Sequence, residues 1–522
     1  MQFRQLAAVL TLPGILGGAS ALHEQLDIGY LTGNALLVEA KWSVSRSLSH
    51  SNADGIVSLQ SFPHVIYAAL NNFAVADARL SWTRGLWDAR KWGQAAFSTA
   101  SSGFQLSSHM RRKAEPELQQ DFENFIALMS AFSCSSLRKL DWSQVVFPED
   151  ARRDAVAVFG ILPHEPLCTE NFNALLGTLL PSGRGTGLAG VLSAEAVFRS
   201  VFCMCDLSMA LQDDTMSMHL AYRAVFDLQQ YERNGQWTLA SLFGAHAFTP
   251  NPLASASRVS LTLPLPERDK LLVAPGSTAQ DHQTMRALYD ASAALDAGIG
   301  VRRLAGPVPV PPPELAVFRF QLGHGDQDGA FGLSIENRTD RAQTVRVLEV
   351  LPWYFRIHLH RAQMYCDARA TPMHAIVSEF AYEPAVRRGR PARLESTWYI
   401  APHSTAHVVV PFEREFLRSD DFPADWDRGI ELPGALLRQD APDSPAHTTT
   451  TTTNTLLFTW PLPDHTMPFN AVTMSATLLA LFYGAFFNMS FRRWYLRIDS
   501  DPPANPVRRL IWCLASRLPR RK

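Results

Sequence analysis

Residues 316–340 read AVFRFQLGHGDQDGAFGLSIENRTD. Apolar and polar side chains alternate from Phe318 to Leu322, and apolar and small residues from Phe331 to Ile335, the period of strands with two unlike faces. Gly323 to Gly329 supplies turn residues between them, so the stretch reads as a β-hairpin. Its Asp326-Gln327-Asp328-Gly329 superficially suggests a calcium loop, but the full EF-hand spacing and its final glutamate are missing. No metal site is expected here.

The same reading extends outward. NALLVEAKWSV (Asn34–Val44), SRVSLTLPLP (Ser257–Pro266), TVRVLEVLPWYFRIHLH (Thr344–His360) and TAHVVVPFERE (Thr405–Glu415) all read as strands rich in β-branched and aromatic residues. Helices are fewer. Glu115–Cys134 carries Leu118, Phe122, Phe125 or Ile126, Met129 and Phe132 at helical spacing, and Gln283–Gly298 reads as a second helix stopped by glycine. The expected class is mainly β with some α, plus one C-terminal transmembrane helix.

That last helix is Thr466–Phe491, which contains no charged residue. As a helix it would reach about 39 Å at 1.5 Å per residue, beyond a hydrocarbon layer of roughly 30 Å. From Arg492 to Lys522 there are nine Arg and Lys against two Asp, and flanks of that kind stay cytoplasmic. At the other end, Arg4, an apolar stretch from Leu6 to Leu16 and Ala19-Ser20-Ala21 form a signal-peptide layout. The expected organisation is a signal peptide 1–21, luminal domains 22–305 and 306–465, the span 466–491 and a basic cytosolic tail 492–522. The proline-dense Ala305–Glu314 marks the boundary between the two domains. Thr448–Thr453 falls in a loop expected to be flexible, and Val507–Leu518 is a candidate amphipathic helix on the inner leaflet, with Cys513 a palmitoylation candidate.

A formal net charge of −1, with no basic cluster outside the tail, argues against nucleic acid as a partner. Five cysteines fall in the presumed oxidising body: Cys134, Cys168, Cys203, Cys205 and Cys366. An odd number leaves at least one without a partner inside the chain, which points to a bond with another protein or a free thiol. Catalytic signatures are missing: no G-x-S-x-G elbow, H-E-x-x-H helix, Walker loop or dinucleotide fingerprint. His358 and His360 sit two apart on an expected strand, too few for a zinc site. Trp82, Trp87 and Trp92, and the group Trp353-Tyr354-Phe355, read as core residues, with an interface role as the alternative. No cofactor is expected, and the chain does not read as an enzyme by itself.

Several blocks together carry a resemblance. LPHEPLCTEN (Leu162–Asn171), GLWDARKWG (Gly85–Gly93), VLPWYFRIHLH (Val350–His360), FPADWDRGIELP (Phe422–Pro433) and LPDHTMPFNAVTMSATLLALFYGAFFN (Leu462–Asn488) resemble, in order, the PIG-T family of GPI transamidase subunits. The resemblance implies a non-catalytic subunit of the endoplasmic reticulum membrane, single-pass with β-sandwich-like luminal domains, that assembles and stabilises a complex attaching GPI anchors to protein C-termini. Its partners would be a catalytic cysteine-protease subunit and other membrane subunits, with the GPI lipid and the proprotein met indirectly. The cysteine of the family's C-T-E-N block, joined there to the catalytic subunit by a disulfide, corresponds to Cys168. Two departures stand out. Leu180-Pro181-Ser182 lacks the second cysteine that many relatives carry, and Asn171-Phe172-Asn173 replaces a sequon. The one body sequon is Asn337-Arg338-Thr339, making Asn337 the expected glycosylation site. Alternatives from other classes are a membrane-tethered lectin-like or chaperone protein of the secretory pathway, and an independent luminal cysteine hydrolase using Cys168 or Cys366.

Overall fold

The computed structural model describes residues 21–517 apart from 32–33, 48–62, 150–151, 153, 182, 213–214, 245–247, 265–266, 281–283, 292–297, 303, 305–312, 324–326, 419, 423–427, 440–449, 461–465 and 492–503. Nearly all of the expected signal peptide, the proline-dense boundary and the centre of the 323–329 turn thus lie outside the described residues. The chain divides into a body ending at Trp460 and a C-terminal unit beginning at Pro461.

The first half of the body supplies β1 (Ala21–Leu31), β2 (Ala35–Ser47), β3 (Val75–Arg84), β4 (Gly103–Arg111), β5 (Ala155–Leu162), β6 (Phe202–Gln212) and β7 (Thr215–Asp227). After these come β8 (Gln236–Thr238), β9 (Ala254–Pro264), β10 (Ser277–Gln280), β11 (Thr284–Asp290) and β12 (Gly300–Arg302). Its helices are α1 (His64–Asn72), α2 (Ala89–Trp92), α3 (Glu115–Ser133), α4 (Thr169–Leu179), α5 (Gly187–Val191), α6 (Ala194–Phe198) and α7 (Leu239–Phe243). Ten strands form one sheet in the order β10-β11-β9-β1-β2-β7-β6-β3-β4-β5, and β8 pairs with β12 apart from it. β1 runs parallel to β9 and antiparallel to β2.

Both faces of this sheet are covered, and the strand period of two decides which residue goes where. Along β6, Cys203, Cys205 and Leu207 join the large core with Trp42, Trp82, Phe104 and Tyr222, roofed by α3 and α4. Phe202 and Met204 turn to the other face, where Trp87, Trp92 and Phe97 close over them. Trp87 meets Trp92, Phe97 and Phe202 edge-on at 5.2, 5.1 and 5.8 Å. The three tryptophans are therefore core residues, not interface anchors. Helix α3 arises where its apolar spacing predicts it: Leu118, Phe122, Phe125, Ile126 and Met129 are buried, and Cys134 ends it with a left-handed φ of 52°.

The expected helix over Gln283–Gly298 does not form across its first half. Residues 284–290 are strand β11, paired antiparallel with β9 from Thr284↔Pro264 to Asp290↔Arg258. Met285, Ala287 and Tyr289 point inward while Thr284, Arg286 and Asp290 face out, a period of two that partners on β9 select over local helix propensity.

The second half continues with β13 (Leu315–Leu322), β14 (Asp328–Asn337), β15 (Gln343–Leu351), β16 (Phe355–Ile357), β17 (Gln363–Cys366), β18 (Arg369–Ala370) and β19 (Val377–Glu383). It ends with β20 (Ala392–Ile400), β21 (Thr405–Arg414), β22 (Ile430–Leu432), β23 (Leu436–Gln439), β24 (Thr450–Thr452) and β25 (Leu456–Phe458). The hairpin expected at 316–340 is present: β13 and β14 pair from Leu315↔Asn337 to Leu322↔Ala330. One sheet is built on β13-β14-β21-β17-β18 and another on β19-β20-β15-β23-β24. Leu333 and Ile335 from the first meet Val345, Val347, Trp398 and Ile400 from the second in a shared core, which makes this half sandwich-like. Arg319 of β13 is fully buried and donates to Glu349 of β15, with the Phe331 ring 5.2 Å from the guanidinium carbon.

The threonine run corrects the sequence reading. Thr450–Thr452 forms β24 against β23, and Thr452 and Thr453 are buried. The Thr99 N–H donates to Thr450 O at 2.9 Å, and the Thr452 N–H donates to Thr99 Oγ1 at 2.9 Å. Gly434 N–H donates to Ser101 Oγ at 3.2 Å in the same seam. Val146 and Phe159 of the first half pack with Leu348 and Val350 of the second. A stretch with loop composition is thus the strap that joins the two halves, because backbone groups buried there must find partners.

In the C-terminal unit, α8 (Thr466–Phe491) and α9 (Pro506–Ser516) are described. Phe469–Phe491 is long and apolar enough to cross a membrane, and none of it is buried by protein.

Replacing Thr99 with Val keeps its shape but leaves the buried Thr452 N–H without an acceptor. The expected cost is about 1–3 kcal/mol, read as a lower melting temperature, whereas Thr451→Val should shift stability by no more than about 0.5 kcal/mol.

Candidate functional site

The C-T-E-N block begins a helix. Cys168 is the N-cap of α4, with extended backbone angles of φ −127° and ψ 174°. Its N–H donates to Asn171 Oδ1 at 2.8 Å, and its sulfur faces the Asn171 N–H, a reciprocal capping arrangement. Asn171 Nδ2 donates onward to Pro166 O at 3.3 Å. One buried asparagine therefore fixes both the start of the helix and the loop that leads into it.

The helix itself is nailed down from below. Phe172, Leu175, Leu176 and Leu179 are buried in the large core. Phe172 meets the Tyr222 ring of β7 edge-on at 5.2 Å. Arg184 lies 5.9 Å from the Phe172 centroid and donates to Asn173 and, at 3.1 Å, to Leu192 O. Ser136 N–H donates to Glu165 Oε1 at 2.7 Å, tying the chain after α3 to the approach to Cys168. The same approach, Pro163 to Glu165, walls a cleft of about 450 Å³ whose other side carries Trp353, Tyr354 and Asp421. Trp353 and Tyr354 are thus half-buried cleft residues.

Cys168 is half-buried and unbonded. Burial holds its thiol above the ordinary range, Glu170 adds to that, and the Asn171 N–H opposes it. Burial also pushes Cys203 up to about 11 and raises Cys205 and Cys366. A nucleophilic cysteine needs the opposite shift. Cys203 and Cys205 are sealed within the sheet core, and Cys134 is exposed at the end of α3. Among the described residues no group of three His, Cys, Asp or Glu side chains could hold a metal ion. His358 and His360 do not share a strand, since β16 stops at Ile357 and Leu359–Arg361 is a tight turn. His358 Nε2 lies 3.2 Å from Glu413.

Asn337, the expected glycosylation site, ends β14. It is 1% exposed, and Nδ2 donates to Arg341 O at 2.7 Å, Ala401 O at 3.0 Å and Ile400 O at 3.2 Å. Its Oδ1 accepts from the Thr339 N–H and hydroxyl at 3.0 and 2.7 Å. A glycan would bond through that same nitrogen, which here is engaged by three backbone carbonyls. The sequence signal that would have found this is burial across β14, β20 and the 401–404 turn, which no tripeptide motif contains. Asn171 and Phe172 were likewise invisible as supports of Cys168, although C-x-x-N at a helix start has the spacing of a capping box.

The family model described as "Gpi16 subunit, GPI transamidase component" matches residues 6–229 and 204–509. GPI transamidase component GPI16 of Saccharomyces cerevisiae is 23% identical, over 92% of this chain and 89% of its own length. GPI-anchor transamidase component PIGT of Mus musculus is 23% identical, over 92% of this chain and 91% of its own length. The Homo sapiens protein of the same description is also 23% identical, over 86% of each chain.

Two outcomes follow from this geometry. Asn337 should be recovered unmodified in peptide mass analysis, and Asn337→Ala should cost about 1–3 kcal/mol of stability by stranding buried carbonyls. In the partner-free chain Cys168 should alkylate more slowly at neutral pH than an ordinary exposed thiol. Its rate should keep rising above pH 9, because the reactive thiolate forms only as pH approaches the raised value; a rate that plateaus near neutrality would contradict the assignment.

Proposed function

The chain belongs to the Gpi16 family of GPI transamidase components, and from that premise we propose that it is a non-catalytic subunit that assembles and stabilises the complex. The observation that carries this reading is Cys168: a half-exposed, unbonded thiol at the cap of a helix whose Phe172, Leu175, Leu176 and Leu179 are locked into the core. Such a thiol is held in a fixed direction but not activated, which suits a covalent joint to a partner better than turnover. The joint is a disulfide to the catalytic cysteine-protease subunit. It removes the entropic cost of re-association and keeps the partner at an effective concentration on the order of mM or above.

The rest of the molecule fits this role. The strapped halves present the Cys168 approach and the adjoining cleft on one scaffold, with a domain boundary in the proline-dense 305–314. The apolar Phe469–Phe491 anchors the body in the endoplasmic reticulum membrane as a single-pass type I protein, the body luminal and the tail cytosolic. There it stands beside the other membrane subunits. The GPI lipid and the proprotein are met through the complex, not through chemistry of this chain.

Cys168→Ser should abolish a high-mass band on a non-reducing gel while part of the complex persists. An unchanged band refutes the joint. Exchanging α8 for an unrelated apolar helix should impair assembly and GPI attachment, since Gly484 and Asn470 permit close helix contacts; full activity after the exchange would reduce the span to a plain anchor.

A further inference from the structure

Helix α9 leaves an apolar face uncovered among the described residues. Its eleven residues, Pro506–Ser516, include no buried side chain. Helices this short are marginal in water without packing of an apolar face. Its local signals are nevertheless sound: Asn505 Oδ1 caps the Val507 N–H at 3.3 Å, and Pro506 occupies the first turn. Val507, Leu510, Ile511 and Leu514 recur at spacings of three and four, so they form one stripe. All four are exposed, between 54% and 68%. Arg509 falls opposite the stripe, Arg508 and Arg517 flank it, and all three are exposed. No acidic residue lies in the helix.

We propose that α9 docks flat on the membrane surface next to the end of the span, its apolar stripe in the headgroup–acyl boundary and its arginines on anionic phospholipid headgroups. Two observations select a lipid surface over a protein groove. Only residues 492–505 separate α9 from the end of α8 at Phe491, so the helix is tethered within reach of a bilayer. Its charge is uniformly positive, matching a surface of anionic lipids, and the apolar stripe is that of an interfacial helix. Docking makes the tail a second, composition-sensitive contact beside the span: it binds where anionic lipid is present and lets go where it is not.

The test is hydrogen exchange of residues 506–517 in the full-length chain, reconstituted in nanodiscs of phosphatidylcholine alone or with phosphatidylserine added. Exchange should be at least about tenfold slower in the anionic discs, falling back as salt is raised. Neutralising Arg508 and Arg509 to Gln, which leaves the stripe and the helix-forming residues in place, should remove roughly fivefold protection per arginine. Leu510→Asp with Leu514→Asp should abolish the protection seen in the anionic discs. Fast exchange in both disc compositions overturns the proposal. So does protection that ignores lipid composition, salt and the arginines, which would signal a protein contact.

Discussion

The contact between Phe172 and Tyr222 is the constraint on which the rest of the site depends. Tyr222 lies on a central strand of the ten-stranded sheet, paired on one side with Ala40 and on the other with Cys205. Its direction is set by those two strand pairings, independently of α4. Phe172 then has one place to go, and with Leu175, Leu176 and Leu179 it sets the helix on the core. Cys168 comes at the helix start, where the cap geometry decides which way the sulfur faces. The order of causes runs from strand register to helix seat to thiol direction, and a one-residue slip of β7 would send the Tyr222 ring to the opposite face.

The second half contributes stiffness by a different route. Arg319 and Glu349 are a fully buried ion pair, and burial alone opposes the charge on both: it lowers the arginine and raises the acid, each offset by the other. Such a pair is not a source of net stability, but breaking it by removing one partner costs about 3–5 kcal/mol because the other is left uncompensated. It joins β13 to β15 across the two sheets. The strap at Thr450–Thr453 then ties β23 and β24 to the segment around Thr99 of the first half. The scaffold around Cys168 and its cleft is thereby tied to the second half through the Thr99–Thr450, Thr99–Thr452 and Gly434–Ser101 hydrogen bonds.

What could be read in advance follows physical locality. Helix α3 formed where its periodicity put it, the apolar helix where an uncharged run put it, and the 316–340 hairpin formed as expected although β13 buries Arg319 and exposes Phe318 and Leu322. The residues from Thr284 to Asp290 carry helix formers and a strand period together, and only the edge offered by β9 decides between them. Six threonines in a row look like a linker until Thr99, more than three hundred residues away in sequence, supplies an acceptor. Asn337 satisfies a three-residue motif, yet the carbonyls of Ile400 and Ala401 claim its nitrogen. Cys168 was legible only through its block of neighbours and the family they resemble. Its capping role and its seat on Tyr222 are non-local and could not be read from the chain.

The claim at the centre is that Cys168 is a joint between this chain and a protease subunit. The most direct measurement is disulfide mapping: the intact assembly is extracted from its native membrane in mild detergent, digested without reduction, and the peptide carrying Cys168 identified by mass spectrometry. The account expects that peptide bonded to a peptide of a cysteine-protease subunit. Finding Cys168 bonded to another cysteine of its own chain, or recovered as a free thiol throughout, would contradict it.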